Sequence, residues 1–157
     1  MSNTPPSSDP LLPIDLIYHA LEDERYWKDF LDFVVKRLNL AFAAFGLVYP
    51  RRQSQSLSYY VGLPEEVLKQ YLTHWVHEDP WVKTDRAWGL PVGQIIRSEH
   101  VIPDEELCRT AAFREWMQPI GYHYGAGMVL ARSDYQFAYL SVYRGTSLGP
   151  LSELEFG

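Results

Sequence analysis

The chain has 157 residues, enough for one domain with a sizeable core. A net charge of −6 argues against general binding to nucleic acid or anionic membrane, and the single cysteine, Cys108, excludes an internal disulfide and fits a reducing cytoplasm. No apolar run approaches the ~20 residues that span a bilayer, residues 1–13 lack the basic and apolar regions of a signal peptide, and an aromatic share of 15% gives a core with polar handles.

Residues 1–13 read as a poorly ordered tail. Ile14–Leu21 and Tyr26–Leu38 carry helical periodicity, and Trp27, Phe30, Leu31, Val34, Val35 and Leu38 make one broad apolar face in the second. Residues 41–49 read as a buried strand with small residues that leave room above it. Arg51–Ser56 reads as a polar turn, and residues 57–61 as the partner strand of a hairpin. Tyr59 of that strand is counted as a candidate pocket residue. Pro64 then opens a helix with Glu65 and Glu66 in its first turn. A short helix follows Pro80 and ends near Gly89. Pro91–Ser98 holds a short strand. A helix in one or two pieces runs from Pro103 to Trp116 and is broken by Gln118–Gly121. Two strands, 122–131 and 137–143, complete the sheet. Alternation puts Gly125 and Gly127 on one face of the first, and paired glycines on one face usually mark a close approach to the backbone, commonly by a packed helix and more rarely by a ligand. Helical connections alternate with hairpins. The fold class is therefore α+β: a central, mostly antiparallel sheet of about five strands with helices on its faces, three layers at most.

Ser152–Glu155 is a capping box of the form S-x-x-E. It announces a helix over residues 151–157, too short to be stable alone. The expected organisation is thus a tail (1–13), a sensor or binding domain (14–150) and the start of a helix leading to a further domain.

The stretch Tyr71–Trp88 concentrates the candidate chemistry. Leu68, Tyr71, Leu72, Trp75 and Val76 share one helical stripe, and the next turn lands on Asp79. A carboxylate at the end of an inward-facing aromatic stripe needs a donor. Two readings stand together. Asp79 caps a helix that begins at Pro80, or it anchors the N–H of a ligand. Both hold if one oxygen caps and the other faces a pocket. His74 and His77 lie off the Tyr71–Trp75–Asp79 line and lack a fourth partner, so they are not read as metal ligands. Cys108 has no nucleophile signature around it and reads as a buried structural thiol. No phosphate-cradling loop or Gly-x-Ser-x-Gly elbow is present, so neither an enzyme, a metal nor a cofactor is expected.

Several strings together resemble the N-terminal sensor domain of LuxR-type transcriptional regulators. They are Tyr71…Asp79-Pro80-Trp81-Val82, Phe113…Trp116…Ile120-Gly121, Gly125-Ala126-Gly127-Met128 and Gly149-Pro150-Leu151-Ser152-Glu153. The resemblance covers roughly residues 14–157. It implies a three-layer, PAS/GAF-like α-β-α sandwich that binds a small amphipathic signal between sheet and helices. Binding would be coupled to homodimerisation and to DNA through a C-terminal helix-turn-helix outside this sequence. By the same resemblance, Asp79 accepts an amide N–H from the signal, with Tyr71 beside it, Ser141 as the hydroxyl on the last strand, and Phe113 and Met117 as apolar walls. Trp75 and Trp81 supply further aromatics. Two tryptophans of the lactone-binding members fall here at Glu66 or Val67 and at Ile95 or Ile96, so the resemblance implies a pocket and a sensor rather than one particular lactone. The alternative is a dimerisation or protein-interaction module whose aromatics form a solid core.

Overall fold

The computed structural model describes residues 13–52 and 54–155. The tail expected over 1–13 lies outside the described residues up to position 12, as do Phe156 and Gly157 of the helix expected over 151–157. Pro13 itself opens a helix.

The helices are α1 (Pro13–Ala20), α2 (Tyr26–Arg37), α3 (Glu65–Thr73), α4 (Pro80–Lys83), α5 (Ser98–Val101) and α6 (Asp104–Arg109). The strands are β1 (Phe42–Tyr49), β2 (Ser54–Val61), β3 (Ile95–Arg97), β4 (Tyr124–Arg132) and β5 (Phe137–Arg144). They form one five-stranded sheet in the order β2-β1-β5-β4-β3. Its strand pairs are antiparallel. No helix among the described residues is long and apolar enough to cross a membrane.

The apolar face of α2 covers one side of the sheet. Leu31, fully buried, packs there with Leu40, Ala43, Ala126, Val142 and Leu151, alongside Phe30, Val34, Val35 and Leu38. Phe45 projects from β1 into this layer, with its ring 5.2 Å from Trp27 and 6.1 Å from Phe30. The helices between β2 and β4 cover the other side. Phe42, Ala44, Val48, Leu63, Ile102, Leu107 and Met117 belong to that second core. The result is the expected α-β-α sandwich.

Two local expectations need correction. The polar turn at Arg51–Ser56 is shorter than its composition suggests. A 3-10 turn spans Pro50–Arg52, and β2 is already under way at Ser54. The helix after Pro64 stops at Thr73, whose hydroxyl donates back to the Lys69 carbonyl at 2.8 Å. His74 then takes φ −135° and ψ −61°, and Trp75–His77 form a separate 3-10 turn, so Leu72 faces solvent. The helix expected in one or two pieces from Pro103 to Trp116 takes the form of two, α6 and a π-helical turn, Ala112–Met117.

The capping box forms in part. The Glu155 carboxylate accepts from the Ser152 N–H at 2.7 Å and from the Ser152 hydroxyl at 2.9 Å, over a 3-10 turn at Glu153–Glu155. Buried Arg144 donates to the same carboxylate and to the Gly149 and Pro150 carbonyls.

Truncating Leu31 leaves a void in the layer between α2 and the sheet. Leu31→Ala is expected to destabilise the fold by about 2–5 kcal/mol. Urea unfolding should show a lower midpoint with an unchanged slope.

Candidate functional site

The second face of the sheet has a floor of small residues and rings. Gly46 lies under Tyr139, and a Cβ there would come within 2.6 Å of the Tyr139 hydroxyl oxygen. Gly125 lies under Tyr143 in the same way, at 2.7 Å from a ring carbon. The close approach to β4 at Gly125 is therefore made by a tyrosine of the neighbouring strand, and not by the packed helix or ligand expected there. Gly127, next along that face, is paired with Ser141, and both border open space.

That space is a partly open, mostly apolar cavity of about 150 Å³ between the sheet and the helical layer. It is comparable to cavities that admit a benzene-sized molecule and smaller than the roughly 300–1,000 Å³ typical of sites for drug-sized ligands.

Asp79 overlooks this cavity and is only 9% exposed. It sits at φ −62° and ψ 115°, immediately before Pro80, which fixes the first helical position of α4. Its Oδ1 accepts from the Trp81 backbone N–H at 2.8 Å, so the cap is real. Its Oδ2 accepts from the Tyr71 hydroxyl at 2.7 Å and from the Gln55 amide at 3.2 Å. Gln55 in turn accepts from the Tyr139 hydroxyl at 2.8 Å. Burial pushes the Asp79 carboxyl above the usual carboxylate range, while the Tyr71 hydroxyl and the Trp81 N–H pull it back. Burial also raises the Tyr71 hydroxyl well above an ordinary phenol, helped by the adjacent Asp79 charge, so Tyr71 stays a donor.

Two of the indoles that border the same cavity have buried N–H groups without a hydrogen-bond partner. Trp116 packs against Tyr71, with centroids 5.0 Å apart, and its buried Nε1–H has no hydrogen-bond partner. The Trp81 Nε1–H lies near the Tyr143 hydroxyl, where it favours that group's ionised form. It makes no bond of acceptable geometry there. A buried donor without an acceptor costs about 1–3 kcal/mol, so the cavity wall holds capacity for an acceptor.

The structure brings together six of the eight candidate residues: Tyr71, Trp75, Asp79, Trp81, Met117 and Ser141 all line the cavity. Tyr59 is not among them. Its hydroxyl donates to Glu24 at 2.9 Å on the α2 side of the sheet. The cause is a bulge. Leu57 pairs with Gly46 and Tyr59 with Phe45, which leaves Ser58 as an extra residue. Alternation is inverted past that point, so Tyr60 rather than Tyr59 joins the cavity-side core. Phe113 is buried away from the cavity lining, its ring 4.7 Å from His123. His74 and His77 are exposed. Gln55, Trp116, Tyr139 and Tyr143 are cavity residues that sequence reasoning did not single out. Of these, Tyr139 and Tyr143 alternate with Ser141 on β5 and were within reach of the same period-two argument.

No protein-family model and no curated protein sequence matches the chain. Solved structures do match its fold. The ligand-binding domain of VqsR from Pseudomonas aeruginosa superposes with a TM-score of 0.64 at 12% identity, over 84% of this chain and 77% of that one. CepR2 from Burkholderia cenocepacia, an N-acylhomoserine lactone-dependent LuxR-family transcription factor, gives 0.61 at 16% identity, over 93% and 85%. SdiA in complex with octanoyl-rac-glycerol gives 0.59 at 13% identity, over 96% of this chain and 62% of SdiA. The chain thus shares the fold of LuxR-type signal-binding domains.

Removing the Tyr71 hydroxyl leaves the Asp79 carboxylate short of one donor. Tyr71→Phe should destabilise the fold by about 1.5–3 kcal/mol at pH 7, the range for a hydrogen bond to a charged group. The Tyr71 bond lowers the Asp79 pKa. Its loss therefore raises that pKa further, and the deficit is full where Asp79 is ionised. The deficit shrinks as pH falls through the Asp79 pKa, because a protonated carboxyl needs the donor less. Urea unfolding of both proteins at neutral and acidic pH measures this.

Proposed function

We propose that the chain is the small-molecule-sensing domain of a LuxR-type bacterial transcriptional regulator. The observation that carries this reading is a buried carboxylate set in the wall of a mostly apolar cavity whose lining also holds an unpartnered indole donor. Such a site suits a molecule with both an N–H and an acceptor on one small head group. Asp79 would receive the N–H and Trp116 would serve the acceptor. Its Oδ2 contact with Gln55, at 3.2 Å, is the longest of its three bonds, so a ligand N–H displaces Gln55 most readily.

Tyr71, Trp75, Trp81, Met117 and Ser141 complete the proposed site around Asp79. The sensing unit spans residues 14–150 and passes into a helix from 151. Signal binding is coupled to homodimerisation and to DNA binding by a helix-turn-helix domain of the same regulator, in the cytoplasm. The domain performs no catalysis of its own on this reading.

One observation favours a second reading, a ligand-free dimerisation or interaction module. Tyr71, Gln55 and Trp81 already supply donors to Asp79. In addition α1 exposes Ile14 and Tyr18, with Leu21 just beyond it. Native mass spectrometry separates the readings: retained small molecule supports the first, and dimer without ligand supports the second.

Tryptophans at the cavity make intrinsic fluorescence a direct probe of occupancy. A short-chain N-acyl homoserine lactone and its ester isostere, which lacks the N–H, are the test pair. The amide compound should bind more tightly. Asp79→Ala should weaken it by about 1.5–3 kcal/mol and leave the ester nearly unaffected. Equal affinity of wild type and Asp79→Ala for the amide would remove Asp79 as the anchor.

A further inference from the structure

A second cluster of chemistry-bearing side chains lies outside the cavity. Asp104 and Cys108 are four residues apart on α6, so they share one face of that helix. His123 immediately precedes β4 and is buried. The three offer a carboxylate oxygen, a thiol sulfur and an imidazole nitrogen, all within 4.8 Å of one another. The His123 Nε2 lies 2.6 Å from Asp104 Oδ1 and 3.9 Å from Cys108 Sγ.

The far side of the imidazole is also held. His123 Nδ1 lies 2.9 Å from the Thr146 hydroxyl, in the turn that follows β5. The ring stacks on Tyr124 at 4.0 Å and meets Phe113 at 4.7 Å. Metal-bound histidines are oriented in this way, by a polar partner on the nitrogen that does not face the ion. Here that partner leaves Nε2 aimed at the carboxylate and the thiol.

We propose that Asp104, Cys108 and His123 form a three-ligand site for a zinc-class divalent cation, separate from the Asp79 cavity. Bond lengths of about 2.0–2.3 Å to nitrogen, oxygen and sulfur place tetrahedral ligands about 3–4 Å apart. The Cys108–His123 spacing already falls there. The imidazole and the carboxylate need to part by less than about 1 Å, a rotamer adjustment for a side chain that is 46% exposed. A fourth position then remains for water on the solvent side. Binding replaces the thiol proton: the metal ion gains a thiolate ligand and one proton passes to solvent. Without metal, burial and the nearby Asp104 charge hold the Cys108 thiol above its usual range, which disfavours a free thiolate nucleophile.

The placement has a mechanical consequence. The site joins α6 to the start of β4 and, through Thr146, to the turn after β5. The π-helical turn that follows α6 carries Trp116 and Met117 into the cavity wall. An ion at this position pins one end of that wall to the sheet.

Cobalt(II) titration of the metal-free chain tests the site, because a thiolate ligand gives a charge-transfer absorption in the near ultraviolet. One equivalent per chain should bind with that band and raise the melting temperature. Cys108→Ser should lose the band while keeping the metal-free melting temperature. Asp104→Asn, at a half-exposed position, should weaken cobalt binding about tenfold or more. The proposal fails if wild type shows no charge-transfer band at saturating cobalt, or if Asp104→Asn binds cobalt as tightly as wild type.

Discussion

The upper half of this fold depends on keeping one carboxylate out of water. An ionised Asp79 in an apolar wall is costly unless donors replace its hydration. Three chain segments supply them: Tyr71 from α3, Gln55 from β2 and the Trp81 backbone at the start of α4. The helical layer is thereby tied to the sheet at a polar point inside an otherwise apolar interface. Greasy packing alone permits many sliding arrangements of helix on sheet. A buried charge with directional bonds permits few.

The sheet is shaped to serve that point. Gly46 and Gly125 have no Cβ, so the Tyr139 and Tyr143 rings lie close to the strands beneath them. Tyr139 then reaches Gln55, and Gln55 reaches Asp79. The relay fixes which way the Gln55 amide faces, since its oxygen must accept from Tyr139 and its nitrogen must donate to Asp79. It also gives the mostly apolar cavity a polar edge. Burial raises the Tyr139 hydroxyl far above an ordinary phenol, with the Asp79 charge as a second cause, so this tyrosine remains a neutral donor.

The sequence made the layers legible because both strand and helix periods were strong. The α2 face, the five strands and the Asp79–Pro80 cap were all readable from local patterns. What escaped were features decided by distant partners. Gln55 sits in a run of polar residues and reads as turn, yet both ends of its amide are satisfied inside the protein. The Ser58 bulge leaves no mark in composition, but it inverts every side chain after it, which is why Tyr59 points toward α2. Cys108 showed no signature because its neighbour, His123, lies fifteen residues on, past the π-helical turn and its loop. Phe113 was assigned to the cavity by its place in a motif. The π-helical turn changes the angular step between residues, which turns Trp116 and Met117 toward the cavity while Phe113 packs on His123.

Cavity size bears on which wall can move. A space of about 150 Å³ suits a small ring and not a long acyl chain as well. On the sensor reading, a longer amphipathic molecule needs one wall to yield. The sheet is the poor candidate, since β1, β5 and β4 are bonded on both sides and the Tyr139 and Tyr143 rings are seated in glycine gaps. Asp79 is held from three segments. The π-helical turn is different: its hydrogen bonding departs from the regular α pattern, and it carries an indole with no partner. A ligand acceptor that satisfies the Trp116 N–H would stabilise a shifted position of this turn relative to the present one. That difference in contacts is what binding needs to move a structural equilibrium. On the sensor reading, the wall that would gain a hydrogen bond on binding is thus also one whose backbone bonding departs from the regular helix.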